Sequence, residues 1–198
     1  MPHLHAMAKP RGEPVSASHV AFLRGINVGK AKRVAMADLR ALVTRLGYRD
    51  VKTLLNSGNL VFRAAGAKGG DHGPRIEKAI QQTLGVASRV TVLSEGELAR
   101  AIDGNPLAQV AANPSRYLLV VLATSADRKR LEPLLKEDWA PEALALGERV
   151  AYLWCANGIL DGRLLTAVGR LLGDAGTARN WTTMTKLLAL ARAGAGGA

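Results

Sequence analysis

Two polar loops hold the residues of this chain best suited to grip a ligand. The first is Arg24-Gly25-Ile26-Asn27-Val28-Gly29, followed by Lys30, Lys32 and Arg33. Its glycines let main-chain amides approach an anion, and the cations would neutralise one. The second is Asn56-Ser57-Gly58-Asn59. Its uncharged donors and acceptors suit a phosphate, a sugar or a base edge. The same composition tolerates positive φ and closes a hairpin. A third group, Thr177-Ala178-Arg179-Asn180-Trp181-Thr182-Thr183, reads as the start of a helix. Free amides at such a start attract anions, while Thr177 or Asn180 is suited to cap it. The candidate ligand-binding set is therefore Arg24, Gly25, Asn27, Gly29, Lys32, Asn56, Ser57, Asn59, Arg179 and Asn180. The glycine loop and the Trp181 helix start are expected to meet across a junction between two halves, where ligand clefts commonly form.

Other chemistries find little support. Gly25 to Lys30 is not a nucleotide-triphosphate loop. Only three residues separate its glycines, and Ala31 stands where Ser or Thr would bind Mg²⁺. No His pairs with Cys or a second His at metal-ligand spacing, so no metal site and no cofactor is expected. His3 and His5 lie in the leader, and His72 follows Asp71 in a glycine-rich stretch. His19 stands at a strand start as a lone candidate acid or base. Cys155 is the single cysteine, which excludes an intrachain disulfide and points to a reducing cytoplasm. With no charged partner near it in sequence, its thiol reads as buried and inert.

These loops need elements to position them. Val20–Leu23, Val51–Leu55 and Leu60–Phe62 are short apolar runs that read as strands. Met36, Leu39, Leu42, Val43 and Leu46 recur at helical spacing, with Gly47 placed to end that helix. Arg75–Leu84 reads as a second helix and Arg89–Leu93 as a fourth strand. The order βαββαβ is that of a ferredoxin-like unit. A looser second round follows. It comprises a capping box at Ser94–Glu97, a strand at Tyr117–Ala123, a helix from Ala126 that runs at least to Pro133, a strand at Arg149–Trp154 and a final helix at Trp181–Ala191. Leu160–Leu172 contains strand and helix in an order the pattern leaves open. The expected fold is α+β, with two ferredoxin-like halves whose antiparallel sheets carry helices on one face. The boundaries are a leader at 1–18, domains at 19–95 and 96–192, and a flexible tail at 193–198.

Phe22 and Phe62 fall on the first and third strands, the positions where RNA-recognition motifs stack bases. The flanking signature of those motifs is absent, and core packing is the simpler reading.

Charge is the strongest compositional signal. The 198 residues carry a formal charge of +11. Between His19 and Arg63 nine basic residues face only Asp38 and Asp50. Such an excess favours phosphate-bearing partners, nucleic acid first. No segment is long and apolar enough to suggest a membrane partner.

The combination of Phe22-Leu-Arg-Gly-Ile-Asn-Val-Gly29, Met36 with Leu39, Asn56-Ser-Gly-Asn-Leu-Val-Phe62, and Arg179-Asn-Trp181 with Lys186-Leu187 resembles the bacterial family called domain of unknown function 1697. The resemblance runs from His19 to Leu190. It implies two ferredoxin-like halves and no established activity, cofactor or catalytic residue. Lys30 departs from the family, which often has a small residue there. Three functions follow as expectations: a cytoplasmic binder of a phosphate-bearing ligand or nucleic acid, an enzyme on a small phosphorylated or carboxylated substrate in the same cleft, or a structural, oligomer-forming module whose oligomeric state the sequence leaves open.

Overall fold

The computed structural model describes residues 16–28, 33–65 and 72–193. Gly29, Lys30 and Lys32 lie outside these residues, as do 1–15 of the expected leader and 194–198 of the expected tail. The chain is α+β, with two four-stranded antiparallel sheets and six α-helices among the described residues.

The first half runs β1 (Ser16–Leu23), α1 (Met36–Arg45), β2 (Arg49–Leu54), β3 (Asn59–Ala65), α2 (His72–Leu84) and β4 (Val90–Ser94). Its strands lie in the order β2-β3-β1-β4. β1 begins at Ser16, inside the segment expected to be leader, because Ser16 to Ser18 pair with Arg63 to Ala65. α3 (Glu95–Asp103) starts on the anticipated capping box. The Ser94 hydroxyl accepts from the Glu97 N–H, and the Glu97 carboxylate accepts from the Ser94 N–H.

The second half contains β5 (Tyr117–Leu122), α4 (Arg128–Leu131), β6 (Ala143–Leu146), β7 (Val150–Trp154), α5 (Arg163–Leu172), β8 (Gly176–Asn180) and α6 (Trp181–Ala193). Its sheet has the order β6-β7-β5-β8, so second, third, first and fourth strands are adjacent in both halves. The helix expected from Ala126 to at least Pro133 is shortened to α4 between two 3-10 turns, because Pro133 lacks the N–H that would continue it. Residues 176–180, expected to lead into the last helix, instead form β8. Their small and polar side chains carry no strand pattern, and pairing with β5 decides the conformation.

The layering corrects one expectation. Helices cover both faces of the first sheet, not one. α1 and α2 pack on Ala21, Leu23, Leu60 and Phe62. α3 and α6 pack on Val20, Phe22, Val61 and Leu93 on the other face. The same α3–α6 pair meets Tyr117, Leu119, Val121 and Tyr152 of the second sheet. The outer face of that sheet carries α4 and α5. Every side chain of β5 is buried, since both of its faces are covered.

Phe22 and Phe62 are both fully buried. The pairing of β1 with β3 sets His19 opposite Phe62 and Phe22 opposite Asn59, so the two rings point to opposite faces. They cannot form a shared stacking platform.

Candidate functional site

The loop after β1 and the β2–β3 turn are built onto each other. The Asn27 amide donates to Val34 O (2.9 Å) and Asn56 O (2.7 Å), and its oxygen accepts from the Val34 N–H (2.8 Å). Asn27 adopts φ 55°, a conformation Asn tolerates better than most residues. The Gly58 carbonyl accepts from the Leu23 N–H at 2.8 Å. It sits at φ 77°, with space for no Cβ, since one would come within 2.7 Å of Ile26 and Leu23. Asn59 is fully buried and donates to Leu54 O and to the Ser57 hydroxyl.

β8 closes the arrangement from the second half. Arg179 donates through Nε to Asn59 Oδ1 (2.5 Å) and through Nη2 to Leu23 O and Ser57 O (both 2.8 Å). Its Nη1 donates to Ala178 O. Burial, with Arg24 nearby, pushes its pKa down to about 10. Arg24 reaches back, donating to Gly176 O (2.5 Å) and Asp174 (3.3 Å). The glycine loop, the Asn turn and the segment before α6 are thus brought together at one junction. The hydrogen bonds of Arg24, Asn27, Asn59 and Arg179 are internal to the fold. Asn180 accepts from the Thr183 N–H at 2.9 Å, which makes it the N-cap of α6. Asn56 and Ser57 remain exposed, as does Gly25.

The second half repeats the device. Arg149 donates to Leu122 O and Ala123 O at 3.1 Å and pairs with Glu97 at 3.3 Å. In each half, then, an arginine binds the carbonyl that ends the first strand.

Sequence reasoning missed a buried ring cluster. His72 begins α2 instead of lying in a loop, and its Nδ1 is 2.9 Å from the Tyr48 hydroxyl. His19 stacks on Phe62 at 5.5 Å and meets His72 edge-on at 4.7 Å. Burial first, then His72, pushes the His19 pKa below its usual 6.5. Fifty-three positions separate His19 and His72 in the chain, so spacing could not have joined them. Among the described residues, no three His, Cys, Asp or Glu side chains stand where they could hold a metal ion.

The model of the family described as "Protein of unknown function (DUF1697)" matches residues 17–152. The chain belongs to the DUF1697 family. This bears out the resemblance carried by the two loops. The DUF1697 chain is also similar in fold to a solved structure, the conserved bacterial protein SP0830 from Streptococcus pneumoniae. The TM-score is 0.75 at 19% identity, over 89% of this chain and 99% of that one. No curated protein matches the chain. No helix among the described residues is long and apolar enough to cross a membrane.

Proposed function

We propose that this DUF1697 protein binds a phosphate-bearing partner, nucleic acid first, along the basic rim of its first sheet. One observation carries the reading. Arg33, Arg45, Arg49 and Lys52 are all exposed around the outer strand β2 and make no ion pair among the described residues. Arg40 joins them, fixed by a 2.7 Å hydrogen bond to Thr53. By contrast, Arg128 and Arg130 of the second half are neutralised by Glu132 and Asp127. Unpaired cations are suited to phosphates, and those on the edge strand itself, Arg49 and Lys52, also discourage strand-to-strand aggregation. The exposed Asn56 and Ser57 and the half-buried Arg24 extend the surface toward the junction. The shared strand order supports reading each half as a ferredoxin-like unit, and a single buried free thiol fits a cytoplasmic location.

The test is fluorescence anisotropy of labelled RNA and DNA oligonucleotides across a salt series. Arg45→Ala and Arg49→Ala should each lower the slope of log affinity against log salt by about one unit. Arg128→Ala should leave the slope alone. Equal losses at Arg49 and Arg128, or no binding at low salt, would overturn the proposal.

A further inference from the structure

A second feature is independent of the basic rim: a cleft between the halves along β4. It comprises two adjoining cavities of about 680 and 510 Å³ that share Pro74, Glu77, Arg89 and Asp174. The larger is lined by Val90, Thr91 and Val92 on one side and by Ala123, Thr124 and Ser125 on the other. The smaller holds Arg24, Lys78 and Arg89.

β4 is the outer strand of the first sheet, with β1 as its one neighbour. The Arg24 N–H donates to Arg89 O across that pair. Hydrogen-bonding direction alternates along a strand, so Val90, Val92 and Ser94 turn their N–H and C=O groups away from β1. Two of these outward amides already have partners. Val90 N–H donates to Glu77 at 2.7 Å, and Ser94 N–H donates to Glu97 at 2.8 Å. Val90 O is covered as well, because Gly73 presses so close that a Cβ would come within 2.6 Å of it. Val92 lies between the two carboxylates and lines the larger cavity. It therefore presents a donor and an acceptor side by side, while the flanking carboxylates block pairing with a longer strand.

The smaller cavity supplies the opposite chemistry. Lys78 is exposed and makes no ion pair among the described residues. Arg89 is 65% exposed at its side chain and lies 3.4 Å from Glu77. Glu77 offsets Arg89 and Asp174 offsets Arg24, so of the three cations and two carboxylates lining this cavity Lys78 is the one in surplus.

The geometry points to a binding site for a small ligand with an amide-type edge at one end and an anionic group at the other. The amide edge, whether from a pyrimidine base or a peptide, pairs with the Val92 main chain. The phosphate or carboxylate meets Lys78 and Arg89.

The experiment is ¹H–¹⁵N correlation spectroscopy of the full chain with uridine 5′-monophosphate, uridine, N-acetylalanylalanine and inorganic phosphate, each to millimolar concentration. The expected result is that uridine 5′-monophosphate or the acetyl dipeptide shifts the Val92 amide together with those of Lys78 and Arg89. Which of the two binds more tightly identifies the source of the amide edge. Uridine and inorganic phosphate should each bind at least tenfold more weakly than the monophosphate if the base is that source. Lys78→Ala with Arg89→Ala should weaken the charged ligands about tenfold and leave uridine unchanged. Ala123→Trp, an exposed position on the cleft wall, should abolish the shifts with an unchanged melting temperature. Failure of all four probes to shift Val92 would overturn the site, as would shifts that survive Ala123→Trp. Because the rim residues tested lie around β2, at the opposite edge of the sheet from β4, loss of oligonucleotide binding would not touch this result.

Discussion

Replacing Arg179 with Ala should destabilise the protein by about 3 kcal/mol. The substitution strips donors from Asn59 Oδ1, Leu23 O and Ser57 O, all in the opposite half. Ser57 is exposed, so water replaces the lost bond there at little cost. Asn59 and Leu23 are buried, and each acceptor left unsatisfied costs about 1–3 kcal/mol. Two such groups give about 2–6 kcal/mol, and relief from burying a guanidinium charge offsets the upper part of that range. For a chain of this size the melting temperature should fall by about 6–12 °C. Arg179→Lys should recover under half of the loss, since one ammonium cannot reach three acceptors arranged for a planar fork. A double-mutant cycle with Asn59→Ala should show coupling of about 1–2 kcal/mol, because the two residues share the 2.5 Å bond. Urea denaturation of the wild type, the three single variants and the double variant measures the free energies, and a thermal melt measures the temperature shift. If Arg179→Ala lies within about 0.5 kcal/mol of wild type, or the cycle closes without coupling, the junction is not the fastener described above.

Three further outcomes follow from single residues. Because the folded His19 pKa lies below its ordinary 6.5, the unfolded chain takes up the proton first; stability should be full above that value and fall as pH drops below it, and His19→Phe should flatten a plot of urea midpoint between pH 7.5 and 5. Cys155 is fully buried and its thiol is pushed up to about 11 by burial and by Glu142, so a disulfide reagent at pH 7 should label it only as fast as the protein unfolds. Gly58→Ala combines a positive φ with a 2.7 Å clash against Leu23 and Ile26, and should cost about 2 kcal/mol or more by thermal melt, whereas Gly85→Ala, with open space around it, should cost clearly less.

Local signals in the sequence were sufficient for many elements. The 3.6-residue stripe of Met36 to Leu46, with Gly47 at φ 89° just beyond, located α1 and its end. The Ser94–Glu97 box located the start of α3, and Asn180 proved to cap α6. The elements that escaped are those fixed by partners distant in the chain. Ala143-Leu-Ala-Leu146 has the alternation of a strand but little β-propensity, and it is a strand because β7 lies beside it. β8 is an extreme case, since Thr177-Ala-Arg-Asn180 reads as the start of the last helix, yet Gly176–Asn180 pairs with β5 over its whole length. The two loops were legible as polar, and the meeting of the glycine loop with the segment before Trp181 was expected. That Arg179 would bind carbonyls of the first half was not, because neither acceptor involves a distinctive side chain. Likewise, no spacing rule brings His19 to His72.

The central α3–α6 layer has a consequence for how this chain tolerates change. Val20, Phe22, Val61 and Leu93 from one sheet, and Tyr117, Leu119 and Tyr152 from the other, draw on the same two helices for cover. The molecule is therefore laid out as two subunits of a dimer would be, with residues 104–116 acting as the tether between them. A tether raises the concentration of one half around the other, so assembly stays favourable at any dilution. Cutting that tether should leave two fragments that hold together above some threshold concentration and come apart below it. Separated, the first half would keep α3 and the second α6, so each inner sheet face would lose one of the two helices that cover it. The half-length unit is thus a unit of pattern, and the whole chain is the unit of stability.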